Sequence, residues 1–256
     1  MRVFALADSH LSFSCDKPMD KFEKIWKDHP TKIATNVNSY LQDGDVLLLP
    51  GDISWAINMS EAEADLIFLN ELHGRKILLR GNHDYWWSTP SKLRRFFVEK
   101  DFNKLEILQC DGKVIVDDKN ARLWAISGSR FWNMPHEQKT EKDKMIYARE
   151  LKRADLSLAD VERQLKVLTN SKNPSGINIY NEYKVTRVFM SHFPLIDALE
   201  KHTEALDLLK KYNIDICIYG HLHAYSHKLI VEGEYEGISF YCVAADYRNF
   251  VPLELE

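Results

Sequence analysis

No stretch of the sequence stays apolar for the ~20 residues that a membrane-crossing helix requires, and the first strand-like run, Arg2 to Ala7, is too short for a signal peptide. A soluble, cytoplasmic protein without a membrane partner is the expectation. Basic charge is not in excess either: 34 Lys and Arg against 38 Asp and Glu leave a net charge of −4. That balance provides no general basic face, so nucleic acid is not a favoured partner. Cysteine is scarce. Cys15, Cys110, Cys217 and Cys242 lie far apart with no Cys-x-x-Cys pair, and three sit in apolar runs, as buried reduced thiols do. Internal repeats are absent, as is any linker long enough to separate a pair of domains.

What is present is apolar substance: 45% of 256 residues are hydrophobic, enough for the core of one α/β domain over residues 1–256. Short apolar runs alternate with helical patterns. A strand at 2–7 precedes a helical pattern at 18–42 in which Pro30 is expected to make a break. The second strand, 45–49, is apolar throughout, as in a sheet buried on both faces. Ser60-Glu61-Ala62-Glu63 has capping-box spacing for a helix to about Leu72, and Thr89-Pro90 opens another. Short strands follow at 105–108, 114–116 and 121–126, with Asp111-Gly112 placed as a hairpin turn between the first two. Residues 141–169 carry apolar positions at helical spacing among dense charge, as one helix or two that either cover the sheet or cap the site. A loop is expected at 170–176, strands at 185–190 and 214–219, and closing antiparallel strands near 228–231 and 238–243.

Five strands end in chemically active residues: Asp8-Ser9-His10, Gly51-Asp52, Gly81-Asn82-His83-Asp84, Ser191-His192 and Gly220-His221-Leu222-His223. Alternation along a strand lets Asp8 and His10 reach one point. Each motif alone also reads as an ordinary turn, because Asn, Asp and Gly are turn residues. Five in succession at the same structural position share no such explanation, since ligand sites of α/β sheets gather beyond the carboxyl ends of strands. His29, His73, His136, His202 and His227 lack that context. The set contains nitrogen and oxygen donors and no thiolate, which suits Mn, Fe or Zn. Tyr85-Trp86-Trp87 pack in the core or wall a substrate pocket. Arg130 is either a phosphate clamp or a member of a structural salt bridge.

The ordered set Asp8-x-His10, Gly51-Asp52, Gly81-Asn82-His83-Asp84, His192 and Gly220-His221-x-His223 resembles the calcineurin-like metallophosphoesterase superfamily. The resemblance spans residues 8–223. It implies a four-layer α-β-β-α sandwich of two mixed β-sheets with two divalent metal ions at one edge. Asp8, His10, Asp52 and His223 would hold one ion, and Asp52, Asn82, His192 and His221 the other, with Asp52 as the bridge. Ala7 and Leu11 replace glycines that often flank the first motif. Gly51-Asp52-Ile53-Ser54-Trp55 lacks the downstream Asp-Arg-Gly of the protein Ser/Thr phosphatases, which argues against a phosphoprotein substrate. The implied activity is hydrolysis of a phosphomonoester or phosphodiester by metal-activated hydroxide, on a phosphorylated small molecule or nucleotide. His83 is expected to protonate the leaving group, with Asp84 fixing its tautomer and raising its basicity. The other reading is a metal-binding interaction module that kept the fold without the chemistry.

Overall fold

The computed structural model describes residues 1–171 and 178–256. Its frame is two mixed sheets laid face to face. In the first, β1 (Val3–Ala5), β2 (Val46–Pro50), β3 (Arg75–Leu79) and β4 (Leu105–Ile107) run parallel, and β11 (Leu253–Leu255) closes the edge antiparallel to β1. In the second, β6 (Arg122–Ser129), β7 (Lys184–Ser191), β8 (Ile216–Tyr219) and β10 (Ile238–Cys242) run parallel. Its edges are the antiparallel β5 (Lys113–Asp117) and β9 (Gly233–Tyr235).

Period-two alternation sorts each strand into two cores. Val3, Ala5 and Ala7 face the second sheet and pack with Leu48, Ile77, Ile126, Val188 and Ile218 between the sheets. Phe4 and Leu6 point the other way, onto a core shared with α1 (His29–Tyr40), α2 (Met59–Glu71) and α3 (Pro90–Glu99). On the far side, Phe189, Cys217 and Phe240 meet α5 (Glu204–Lys211), and Leu123 and Ala125 meet α4 (Glu141–Asn170). The four-layer α-β-β-α sandwich is therefore present. Each fully buried Leu, Ile or Phe contributes roughly 1.5–3 kcal/mol to it, which is why both faces of the central strands are apolar.

Several local expectations need correction. Pro30 does not break a helix; it sits in the first turn of α1, where its missing N–H costs nothing. Upstream, residues 18–28 form only two short 3₁₀ turns, at Met19–Lys21 and Lys24–Trp26. The cap of α2 is Asn58, whose side chain accepts from Glu61 N at 3.0 Å, and not Ser60. Asp111-Gly112 is not a hairpin turn: β4 and β5 belong to different sheets, and the chain crosses between them there. Gly112 lies so close to Val161 of α4 that a β-carbon would stand 2.1 Å from its Cγ2. The closing hairpin pairs β9 with β10, while 224–229 is a 3₁₀ segment. α4 is one continuous helix of 30 residues, capped reciprocally by Thr140 and Asp143. Of the expected loop at 170–176, residues 172–176 lie outside the described residues.

Because β1, β2, β3, β6, β7 and β8 all run the same way within their sheets, their carboxyl ends meet at one edge of the sandwich. The sheets also touch at that edge, where Ala7 bridges Ala244 and Ala7 N donates to Val243 O at 2.7 Å.

Candidate metal centre

All seven expected ligands come together at this edge. Asp8, His10, Asp52 and His192 are buried, and Asn82, His221 and His223 are half-buried around them. Their segments are held by backbone pairing: Asp8 N donates to Gly51 O at 3.0 Å and His10 N to Asp52 O at 2.9 Å. Four of the ligands stand in the left-handed region, with φ of 59° at Asp8, 44° at His10, 51° at Asp52 and 70° at His221. Asp and His tolerate that region better than most side chains, and strain of about 1–3 kcal/mol per residue is typical where geometry serves a site. Gly81 is required beside them, since a β-carbon there would fall 2.1 Å from Asp52 Oδ1. Gly220 is required likewise, because its β-carbon would meet Asp8 Oδ2 at 2.3 Å.

The ligand atoms form two neighbouring groups. In one, His223 Nε2 is 3.5 Å from Asp8 Oδ1 and 3.4 Å from His10 Nε2, and His10 Nε2 is 3.7 Å from Asp52 Oδ2. In the other, Asp52 Oδ1 is 3.4 Å from His192 Nε2, and Asn82 Oδ1 is 2.6 Å from His192 Nε2 and 3.0 Å from His221 Nδ1. Asp8 also reaches the second group, with Oδ1 3.8 Å from His192 Nδ1.

The donor set fits cations. His192 Nδ1 donates to the Pro50 carbonyl at 3.1 Å, which leaves Nε2 a bare lone pair turned toward the oxygen of Asn82. Two acceptors facing each other at 2.6 Å are stabilised by a cation that both can ligate. Burial drives Asp8 and Asp52 above the ordinary carboxylate range, and for Asp52 the neighbouring Asp8 and Asp84 add to it. Burial holds His10 and His192 well below the usual imidazole value and brings His221 down to about 3. Only His223 goes the other way. Burial opposes its charging, yet Asp8 and Asp246 push it up to about 10, so a cation would displace a proton there.

Residues outside the ligand set are sorted differently from the expectation. His83 lies at the rim with Nε2 4.0 Å from Asp52 Oδ2. Burial, then the nearby His223, holds it below the ordinary imidazole value. Asp84 does not raise it, because Asp84 does not reach that ring. Its Oδ1 accepts from Ile53 N at 2.9 Å, Ser54 N at 3.1 Å and Trp86 Nε1 at 3.0 Å, and its Oδ2 from Gly81 N at 2.7 Å. The carboxylate ties two ligand loops together, and His83 Nδ1 has no partner among the described residues. Of the two readings of Trp86, core packing holds over a substrate wall: it is 2% exposed and packs 5.3 Å from Trp87. Tyr85 is exposed at the mouth, its ring 6.1 Å from that of His83. Arg130 has no ion pair or hydrogen bond with the ligands among the described residues; its guanidinium lies over Trp132 at 4.9 Å and 4.0 Å from Glu150.

Three supporting residues escaped the sequence reading. Asp246 Oδ1 accepts from His223 Nδ1 at 2.8 Å, orienting that ring. A sixth strand end, Val243-Ala244-Ala245-Asp246, was the available signal. His29 Nε2 approaches the His10 carbonyl at 3.3 Å from beneath. Trp55 stacks on His10 at 5.0 Å and lies 4.3 Å from His83, and no sequence pattern marks it.

Two mixed sheets carrying clustered nitrogen and oxygen ligands at their shared carboxyl edge define an α/β protein with a candidate metal site. Residues 1–225 match the calcineurin-like phosphoesterase family, and the chain belongs to that family. Among solved structures it is similar to phosphopantetheinyl hydrolase (PptH) from Mycobacterium tuberculosis, at 15% identity and a TM-score of 0.55, covering 99% of this chain and 95% of that one. AQ665, a protein of unknown function from Aquifex aeolicus, is similar at 15% identity with the same coverages and a TM-score of 0.48. No curated protein matches the chain. Among the described residues, no helix is long and apolar enough to cross a membrane.

Proposed function

We propose that the chain is a binuclear-metal phosphoesterase acting on a phosphorylated small molecule or nucleotide. One observation carries this reading: the two oxygens of Asp52 face opposite ligand groups, Oδ2 toward His10 at 3.7 Å and Oδ1 toward His192 at 3.4 Å. A carboxylate so placed would offer an oxygen to each of two cations and offset their repulsion. Asp8, His10, Asp52 and His223 would hold one ion, and Asp52, Asn82, His192 and His221 the other. Bound Mn, Fe or Zn supplies Lewis acidity toward phosphoryl oxygens and lowers the pKa of water at the site.

The remaining work falls to the chain. Asn82 would bind through a neutral amide oxygen and add no negative charge to repel the phosphate. His83, outside both groups, would hand a proton to the departing ester oxygen in the molecules whose ring is charged. Those are a minority at about pH 7, because burial and His223 lower its value, so this contribution would grow toward acid pH. Trp55 packs against the ring. Tyr85 at the mouth would meet the organic portion of the substrate. The loop after Asp52 carries no arginine, consistent with a substrate smaller than a phosphoprotein.

The test is a parallel assay of mono-aryl and bis-aryl phosphates across a Mn, Fe and Zn series, with metal content measured on the same samples. A phosphopantetheinyl ester belongs in the substrate panel, given the name of the M. tuberculosis neighbour. Turnover dependent on added metal is expected, and the ratio of the two aryl substrates assigns monoester or diester preference. Stoichiometric metal without turnover of any ester would instead identify a binding module.

A further inference from the structure

One strand along from the ligand-bearing strand ends lies a cavity of about 320 Å³, lined by Arg80, Arg130, Arg149, Arg153, Glu150 and Cys110 among others. We infer that this four-arginine pocket is an anion subsite for a second phosphate carried by the substrate, an inference that rests on the phosphoesterase reading.

Its position follows from the topology. The metal ligands come after β1, β2, β3, β7 and β8, whereas the pocket walls come after β3, β4 and β6, one strand along in each sheet, and from α4. Arg80 directly precedes Gly81-Asn82, and the Arg130 carbonyl accepts from Phe193 N, next to His192, at 3.0 Å. With neighbouring strands ~4.8 Å apart, an anion in the pocket would sit on the order of 10 Å from the metal ligands. Two phosphates on one small organic molecule can span that distance.

Charge points to the ligand. Arg149 Nη2 and Arg153 Nη1 both donate to one oxygen, Oε1 of Glu150, at 3.2 Å and 2.7 Å, and Arg130 stands 4.0 Å from the same atom. Its other oxygen, Oε2, accepts from Ser129 Oγ at 2.9 Å. Four guanidiniums against one carboxylate leave three positive charges uncompensated. For the mostly buried Arg130 and the enclosed Arg80 Nε, a purely structural role would call for balancing partners, because desolvated charge without one is costly. Arg80 Nε is shut away from solvent without a hydrogen-bond partner among the described residues. Arg130 is only 14% exposed at the pocket floor, while Arg149 and Arg153 are 52% and 38% exposed at its mouth. Burial, with the other three arginines adding to it against Glu150, brings the Arg130 guanidinium down to about 10. Guanidinium forks match phosphate oxygens in pairs. A dianionic phosphate suits three spare charges better than a single carboxylate does. A volume of about 320 Å³ is at the lower end of small-molecule sites. The pocket therefore has room for a phosphate and a stretch of the organic group that carries it.

Two measurements test this. In the first, inorganic phosphate is titrated calorimetrically into the whole protein stripped of metal on a chelating resin. Saturable one-site binding is expected, weakened about tenfold or more in Arg149→Ala/Arg153→Ala, as losing two charge-assisted hydrogen bonds would do. Binding should be restored in Arg149→Lys/Arg153→Lys and tightened in Glu150→Gln, which removes the one opposing charge and guards against a misfolded alanine variant. No saturable binding, or binding indifferent to all three variants, overturns the inference. In the second, kcat/KM is compared for an organic bisphosphate and its matched monophosphate. A wild-type preference of about tenfold that collapses in Arg149→Ala/Arg153→Ala is expected. Phosphate binding with no such preference would mark a site for free phosphate and overturn the substrate claim. Turnover of neither ester overturns the phosphoesterase reading, and the titration then judges the pocket by itself.

Discussion

Asp246 Oδ1 accepts the Nδ1 hydrogen of His223 at 2.8 Å and so turns the Nε2 edge of that ring toward Asp8 Oδ1, 3.5 Å away. Asp246 also accepts from Ala224 N at 3.3 Å through Oδ2, which locks its own rotamer. Carboxylates behind a ligating histidine fix its orientation and strengthen it as a donor. Asp246→Ala is accordingly expected to lower metal affinity about 10–100-fold, read by competition with a chromophoric chelator. The metal-free protein should lose stability as well, because the charged His223 ring and Ala224 N are left without their acceptor. Unchanged metal affinity would remove Asp246 from the site.

The strand ends were readable because an apolar run that stops abruptly in Asp, His or Asn leaves little else for those side chains to do. Asp246 obeys the same rule and was passed over only because it lies outside the ordered motif set. The places of Asp84 and Trp86 are not legible, for a different reason. Adjacency to His83 does not say which way a side chain projects, and the turn after Gly81 sends both inward. Pairing between distant segments was likewise invisible: nothing local distinguishes a hairpin at Asp111-Gly112 from a crossing between sheets. Pro30 carried the right information, a helix boundary, but its sign depended on which side the helix lay.

His83 gives a prediction that separates proton transfer from scaffolding. A proton donor matters in proportion to how poor the leaving group is. His83→Asn should cost about a hundredfold or more in kcat on an alkyl phosphate and far less on an activated aryl phosphate. Equal losses on the two esters would take the role away from His83.

Asp84 should behave in the opposite way. Its carboxylate accepts four hydrogen bonds from the loops that carry Asp52 and Asn82. An amide in its place presents one oxygen and turns a donor toward another donor. Asp84→Asn is expected to lower stability by about 2–4 kcal/mol, measured by urea unfolding. Activity on alkyl and aryl esters should fall in the same proportion, since the damage is to ligand placement. A loss confined to the alkyl ester would restore Asp84 as a partner of His83.

Lys76 supplies the pH test, at the end of the sheet away from the ligands. Its side chain is fully buried in β3, and Nζ donates to the Leu72 carbonyl with no carboxylate paired to it among the described residues. Burial, with Lys104 adding to it and Asp43 opposing, brings this amine from 10.5 down to about 7. Between pH 7 and 10.5 the unfolded chain therefore binds a proton that the folded chain does not, and stability must rise with pH across that window. Below about pH 7 both states are charged and the full penalty persists. Lys76→Met keeps the length of the side chain and removes the titration. The variant should be more stable than wild type by about 1–3 kcal/mol at neutral pH, and its advantage should shrink steadily as pH approaches ~10. Denaturant midpoints of the two proteins measured from about pH 6.5 to about pH 10 decide it, and parallel curves would show that Lys76 stays charged in the fold.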